Sequence, residues 1–230
     1  MGPSMNIKIV TLISFLFSYS LLASSNFCGT TSQLPALISA KLIADLTKEG
    51  EHNLWSESDR HQLTFCIDDK FNALKEKITK SVLMAIEEWE QHANVTFIYM
   101  PEHDKNCNRK NKDVLFRINI NHGRRVPYSA KAFFPYTDIK KRSVIFKKKL
   151  VVGGFPSLLK ITKHEFGHVL GFRHEHIHPE NQKRCPEQRP FDPLTDYDTD
   201  SIMHYSICGA TRSGVNLSEQ DKIGAAIAYP

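Results

Sequence analysis

The stretch HEFGHVLGFRHEH, residues 164–176, holds four of the chain's eleven histidines and two of its glutamates, a concentration that asks for a chemical reason. FPSLLKITK runs directly before it, and Leu158, Leu159, Ile161, Phe166, Val169 and Leu170 recur with helical periodicity across the two segments. That spacing predicts a helix over about 157–170. His164 and His168 then stand one turn apart on the same face, the separation at which two imidazoles reach a single zinc ion, with Glu165 beside them. A continuous helix would carry His174 roughly 240° past His168, away from that face. The chain must turn, and Gly171 is where it can, because glycine takes the left-handed conformation that ends helices without steric cost. His174 can then fold back as a third ligand.

The whole pattern, HEFGHVLGFRH, resembles the extended zinc signature of the metzincin metallopeptidases, HExxHxxGxxH. SIMHYS, residues 201–206, is similar to the methionine turn of that family, with Met203 as an apolar floor beneath the metal. GFRHEH and SIMHY resemble the astacin-like branch, including a tyrosine two residues after the methionine, here Tyr205. LSEQDKIGAAIAY near the C terminus is similar to the closing helix of astacins and matrixins. The resemblance spans about residues 60–230. It implies an α+β, zincin-like fold: a twisted mixed sheet of four or five strands, a long backing helix, a zinc-binding helix, and an irregular C-terminal subdomain. It also implies one catalytic zinc held by His164, His168 and His174, with Glu165 as general base and acid. Tyr205 would stabilise the oxyanion, and in astacins the matching tyrosine is a fifth zinc ligand in the resting enzyme. Residues 26–60 match neither the astacin mature N terminus, to which the residue matching Glu175 would pair, nor the aspartate-bearing propeptide motif. Cys28, in NFCGT, lacks the flanking residues of the matrixin switch.

The ligand chemistry supports a hydrolase. Three neutral imidazoles leave zinc its double charge and an open position for water, whose pKa falls from roughly 15.7 towards about 7. The expected activity is a secreted zinc-dependent endopeptidase. The alternative is a secreted zinc-stabilised binding protein on the same scaffold without turnover. Glu165 separates them, since a structural site needs ligands but has no use for a general base. His176, His178 and His204 are set aside as second-layer or solvent-facing groups, and Arg212 as a surface-loop residue.

The rest of the chain fits an exported domain. Lys8 precedes IVTLISFLFSYSLLA, an uncharged, mostly apolar run ending in small residues, which predicts a signal peptide over 1–25. Three serines interrupt this run, which is too short for a membrane anchor, and no later stretch is long enough to span. Residues 26–60 read as an N-terminal arm or short pro-segment, with a helical hint in LPALISAKLIADLTKE, and 61–230 as the catalytic domain. The formal charge of +5 drops to +4 without Lys8, too mild an excess to point to nucleic acid. The lysines around 140–142 and 147–149 read as solvated strand ends. Five cysteines suit an oxidising compartment, extracellular or periplasmic, and their spacing suggests Cys66 with Cys107 and Cys185 with Cys208. Asn94 and Asn216 sit in glycosylation sequons.

Strands are predicted in QLTFCID, NVTFIYM, VLFRINI and RSVIFKK. The stripe of Phe71, Leu74, Ile78, Val82, Ile86 and Trp89 predicts a helix over about 71–93. AKAFFPYT, 130–137, carries Pro135 and so belongs at a sheet edge. Such an edge offers unpaired backbone groups to an extended polypeptide substrate.

Overall fold

Among the described residues of the N-terminal half, the apolar segments at 43–45, 63–67, 97–99 and 116–121 form strands. The computed structural model describes residues 42–123, 125, 127–181, 185, 187, 190–211 and 214–230. The expected signal peptide, Cys28 and Arg212 lie outside these residues. In chain order the elements are β1 (Ile43–Asp45), β2 (Leu63–Ile67), α1 (Lys75–Glu90), β3 (Phe97–Tyr99), β4 (Phe116–Asn121), β5 (Ala130–Lys131), β6 (Ser143–Lys147), α2 (Lys148–Val152), α3 (Phe155–Val169), β7 (Phe191–Pro193) and α4 (Glu219–Ala228). Five strands form one sheet in the order β3-β2-β4-β6-β5. The first four are mutually parallel, and β5 closes the edge antiparallel to β6, with Ala130 opposite Phe146. No described helix is long and apolar enough to cross a membrane.

Parallel strands need crossovers, and α1 supplies the one between β2 and β3. Its buried face is Ile78, Ser81, Val82, Ala85, Ile86 and Trp89, which includes four of the six residues of the predicted stripe. The helix starts four residues later than its apolar spacing suggests. Asn72, at φ 49°, breaks the register, so Phe71 and Leu74 sit in a 3-10 segment over Asp69–Leu74. On its inner side α1 packs against α3. Ser81 Oγ and Thr162 Oγ1 lie 2.8 Å apart, Trp89 Nε1 donates to Lys163 O at 2.9 Å, and Lys163 Nζ pairs with Glu88.

Two expectations need correction. The edge strand expected over 130–137 shrinks to Ala130–Lys131. A tight turn follows, with Thr137 N donating to Phe134 O and Phe134 N to Thr137 Oγ1, and it lifts the chain off the sheet around Pro135. The helical hint in 34–49 fails over its described part. Residues 43–45 form β1, paired with β7 and bridged to Phe172. Leu42, Ile43 and Ala44 are all buried, which suits a strand covered on both faces rather than a one-sided helix. Leu42, Ala44 and Trp55 belong to the main core, so residues 42–55 are built into the domain. Both expected disulfides are present, Cys66–Cys107 and Cys185–Cys208.

Candidate metal centre

Helix α3 brings Glu165 and His168 to the floor of a cleft of about 540 Å³, walled by Ala130–Phe134 on one side and by His174, Glu187 and Tyr205 on the other, with His164 one turn before His168 on the same helix. The close packing under α3 explains its glycine. A Cβ on Gly167 would lie 2.4 Å from Met203 Sδ and 3.2 Å from Trp89, so only a residue without a side chain lets the helix settle on Met203. The turn falls at Gly171, at φ 96°, where a Cβ would also meet Asn53 O at 2.4 Å. Beyond it His174 returns to α3, and one ring nitrogen from each of His164, His168 and His174 lies within 4.8 Å of the others.

Hydrogen bonds fix which nitrogens face inward. His164 Nδ1 lies 2.9 Å from Ile202 O, and His168 Nδ1 lies 2.7 Å from Phe172 O. His174 Nδ1 meets the Glu187 carboxylate. Each partner is an acceptor, so each Nδ1 carries a proton, and each Nε2 presents a lone pair once its ring is neutral. His168 Nε2 and His174 Nε2 are only 3.1 Å apart. When both rings are neutral, two lone pairs at that distance repel, and a cation relieves the repulsion. Burial, reinforced by the neighbouring His174, pushes His164 down to about 3 and His168 well below its ordinary value. Both rings are therefore neutral at physiological pH, the state a metal ligand requires. The donor set fits a metal ion.

Glu165 is 5% exposed, and its Oε2 is buried without a hydrogen-bond partner. Burial raises its carboxyl to about 8. The Tyr205 ring centroid lies 4.1 Å from that of His174, and burial lifts its hydroxyl to about 12. It therefore keeps its proton through the neutral range. Met203 is fully buried beneath α3, its N–H donating to Ser201 Oγ at 3.0 Å.

Three residues behind these groups escaped the sequence reading. Glu187 meets His174 and Arg173, and its carboxylate lies 3.7 Å from His176 Nε2. Burial alone would raise Glu187, but its bonds to His174 and Arg173 and their charges bring it down to about 2. Arg173 Nη1 lies 3.6 Å from Asp45 Oδ1 on β1, so a chain of charge links the first described strand to His174. Asp221, in the first turn of α4, accepts from Ser201 Oγ at 2.6 Å and Ile202 N at 2.7 Å, tying down the 201–206 turn. The Ser218-Glu219-Gln220-Asp221 capping box was a visible signal for Asp221. No spacing rule marks Glu187 or Arg173.

His174, His176 and Glu187 form a second possible metal-ligating group that shares His174 with the first. His178 stacks on Tyr197, and His204 Nε2 lies 2.8 Å from the Tyr197 hydroxyl. Glu175 is fully buried, with Oε1 accepting from Asp198 N at 2.9 Å, and burial raises it to about 9.

No protein-family model and no curated protein matches the chain. Solved structures of myroilysin, a metallopeptidase, do match. One is 21% identical with a TM-score of 0.51, covering 73% of this chain and 92% of its own. Another is 20% identical with a TM-score of 0.54, covering 83% and 91%. At this identity the likeness is one of fold.

Proposed function

We propose that the protein is a secreted, zinc-dependent endopeptidase of the astacin-like metzincin type, with His164, His168 and His174 as ligands and Glu165 and Tyr205 as catalytic residues. One observation carries the reading: ring nitrogens of three histidines converge within 4.8 Å of one another beside a buried carboxylate whose Oε2 has no hydrogen-bond partner. Tetrahedral bonds of about 2.0–2.1 Å from zinc put two ligating nitrogens roughly 3.3 Å apart. The 3.1 Å between His168 Nε2 and His174 Nε2 is close to that value. The two disulfides favour an oxidising compartment, and so support export. The fold shared with a metallopeptidase points the same way.

Zinc bound there supplies Lewis acidity to the scissile carbonyl and to the attacking water. Glu165 takes a proton from that water and later delivers it to the leaving amine. Its carboxyl, raised to about 8 by burial, falls back towards neutrality beside a cation, into the range where it can both gain and lose a proton. The Tyr205 hydroxyl, still protonated at neutral pH, donates to the carbonyl oxygen as that oxygen gains charge. Substrate lies extended along β5, whose outer edge pairs with no other strand among the described residues and borders the cleft.

The test is hydrolysis of casein by the purified chain beside Glu165→Ala, with zinc content measured in both. Expected is equal zinc and a rate lower by about 10²–10⁴ in the variant, the usual contribution of a positioned general base. A zinc-loaded wild type as inactive as the variant, even after trimming ahead of Leu42, overturns the peptidase reading in favour of the binding protein.

A further inference from the structure

A second groove, of about 580 Å³, lies between the 109–112 loop and the 139–141 turn. Arg109, Lys110, Lys112, Lys140 and Lys141 all line it, and no acidic side chain does. Among the described residues none of the five forms an ion pair. The two acids that flank these segments in sequence make other contacts. Asp138 accepts from Lys140 N at 2.8 Å to cap its turn, and Asp113 lies 3.9 Å from His103.

Five like charges on flexible chain would spread apart, but here both supports are fixed from below. Cys107 is bonded to Cys66 of β2, and its carbonyl accepts from Asn119 Nδ2 at 3.0 Å. Within the loop, Lys110 N donates to Asn108 Oδ1 at 3.0 Å and Asp113 N to Asn111 Oδ1 at 2.9 Å. Under the turn, buried Arg117 donates through Nη2 to Ile139 O and Lys140 O, each at 3.1 Å. The protein thus holds the cations together against their mutual repulsion, an arrangement that favours a polyanionic ligand.

Lys141 lines both this groove and the catalytic cleft, so the two adjoin just ahead of β6. Ile139, 40% exposed in the groove, adds an apolar contact of the kind a side chain uses. We propose that the groove is an exosite for an acidic segment of the polypeptide whose cleavage site occupies the cleft. The attachment to a substrate rests on the peptidase reading, whereas the capture of an acidic peptide does not.

The experiment measures fluorescence anisotropy of labelled decaglutamate and decaglutamine with the full chain and with Arg109→Glu/Lys112→Glu. It is paired with kcat/KM for two substrates that share a cleavage segment and differ in an acidic or neutral extension. Decaglutamate should bind, weaken as salt rises, and lose at least tenfold in affinity in the variant, while decaglutamine does not bind. The acidic extension should raise kcat/KM only in the wild type, with neutral-substrate hydrolysis and Tm unchanged. If the reversed pair fails to fold, Lys110→Gln/Lys140→Gln should still weaken decaglutamate about threefold. Equal decaglutamate binding by wild type and variant overturns the proposal, as does binding of a heparin oligosaccharide but not of decaglutamate. Decaglutamate capture without hydrolysis of either substrate upholds the groove and counts against the peptidase reading instead.

Discussion

His164 and His168 reach the centre from a helix, while His174 reaches it from a loop, and the two approaches are secured by different forces. The helical pair is set by one turn of α3, by the packing of Gly167 on Met203 and Trp89, and by two backbone carbonyls. The loop histidine is set by charge: Glu187 grips it, Arg173 grips Glu187, and Asp45 faces Arg173. Packing is short-ranged and indifferent to salt and pH, whereas an ionic relay that is partly open to water responds to both. Half of the site is therefore as stable as the core, and the other half as stable as a few carboxylates and one covalent link.

That contrast can be broken from either side. The largest effect is expected from Cys185→Ala/Cys208→Ala. It opens the loop that carries both Glu187 and the segment after Tyr205, and closing a loop of that size is worth about 3 kcal/mol. Denaturant melts should show that loss together with lower metal retention; unchanged metal content would mean that the ionic relay holds without the disulfide. Gly167→Ala attacks the helical side, forcing Met203 aside at a cost of roughly 1–3 kcal/mol in thermal stability. Glu187→Gln attacks the loop side alone. It should weaken metal binding about 10–100-fold by chelator competition, with the melting of the metal-free chain nearly unchanged, because outer partners of ligating histidines tune affinity to that extent. An affinity equal to wild type would remove Glu187 from the relay.

The last effect is in pH. Burial raises Asp221 to about 6, above the ordinary aspartate value near 3.9. The folded chain then holds its proton more tightly than the unfolded chain does. Its contribution to stability is full below about pH 4, is lost as pH rises from about 4 to about 6, and is flat beyond. The slope is at most about 1.4 kcal/mol per pH unit. Melts of the wild type minus Asp221→Asn across pH 4–7 should show that decline; a flat difference would mean that the bonds from Ile202 and Ser201 keep Asp221 ionised throughout.

The same contrast explains what could be read in advance. Periodicity made α1, α3 and the parallel strands legible, because in each the burial pattern repeats along the chain. Gly171 was legible because a single residue type solves its backbone problem. The Glu187–Arg173–Asp45 relay was not, since its members lie far apart in sequence and obey no period. The start of α1 was missed at Asn72, where one positive φ overrides an unbroken apolar stripe. β1 was misread as helical because three consecutive buried residues carry no period at all, and only their pairing with β7 and Phe172 distinguishes strand from helix.

β1 also sets a limit on maturation. Leu42 lies in the core, Arg173 N donates to Ile43 O, and Asp45 faces the Arg173 side chain. A cut ahead of Leu42 keeps all of these residues in the chain, whereas a cut at residue 60 would withdraw a strand from the core and release Arg173. Any leader that the chain sheds without weakening its own site therefore ends no later than residue 41.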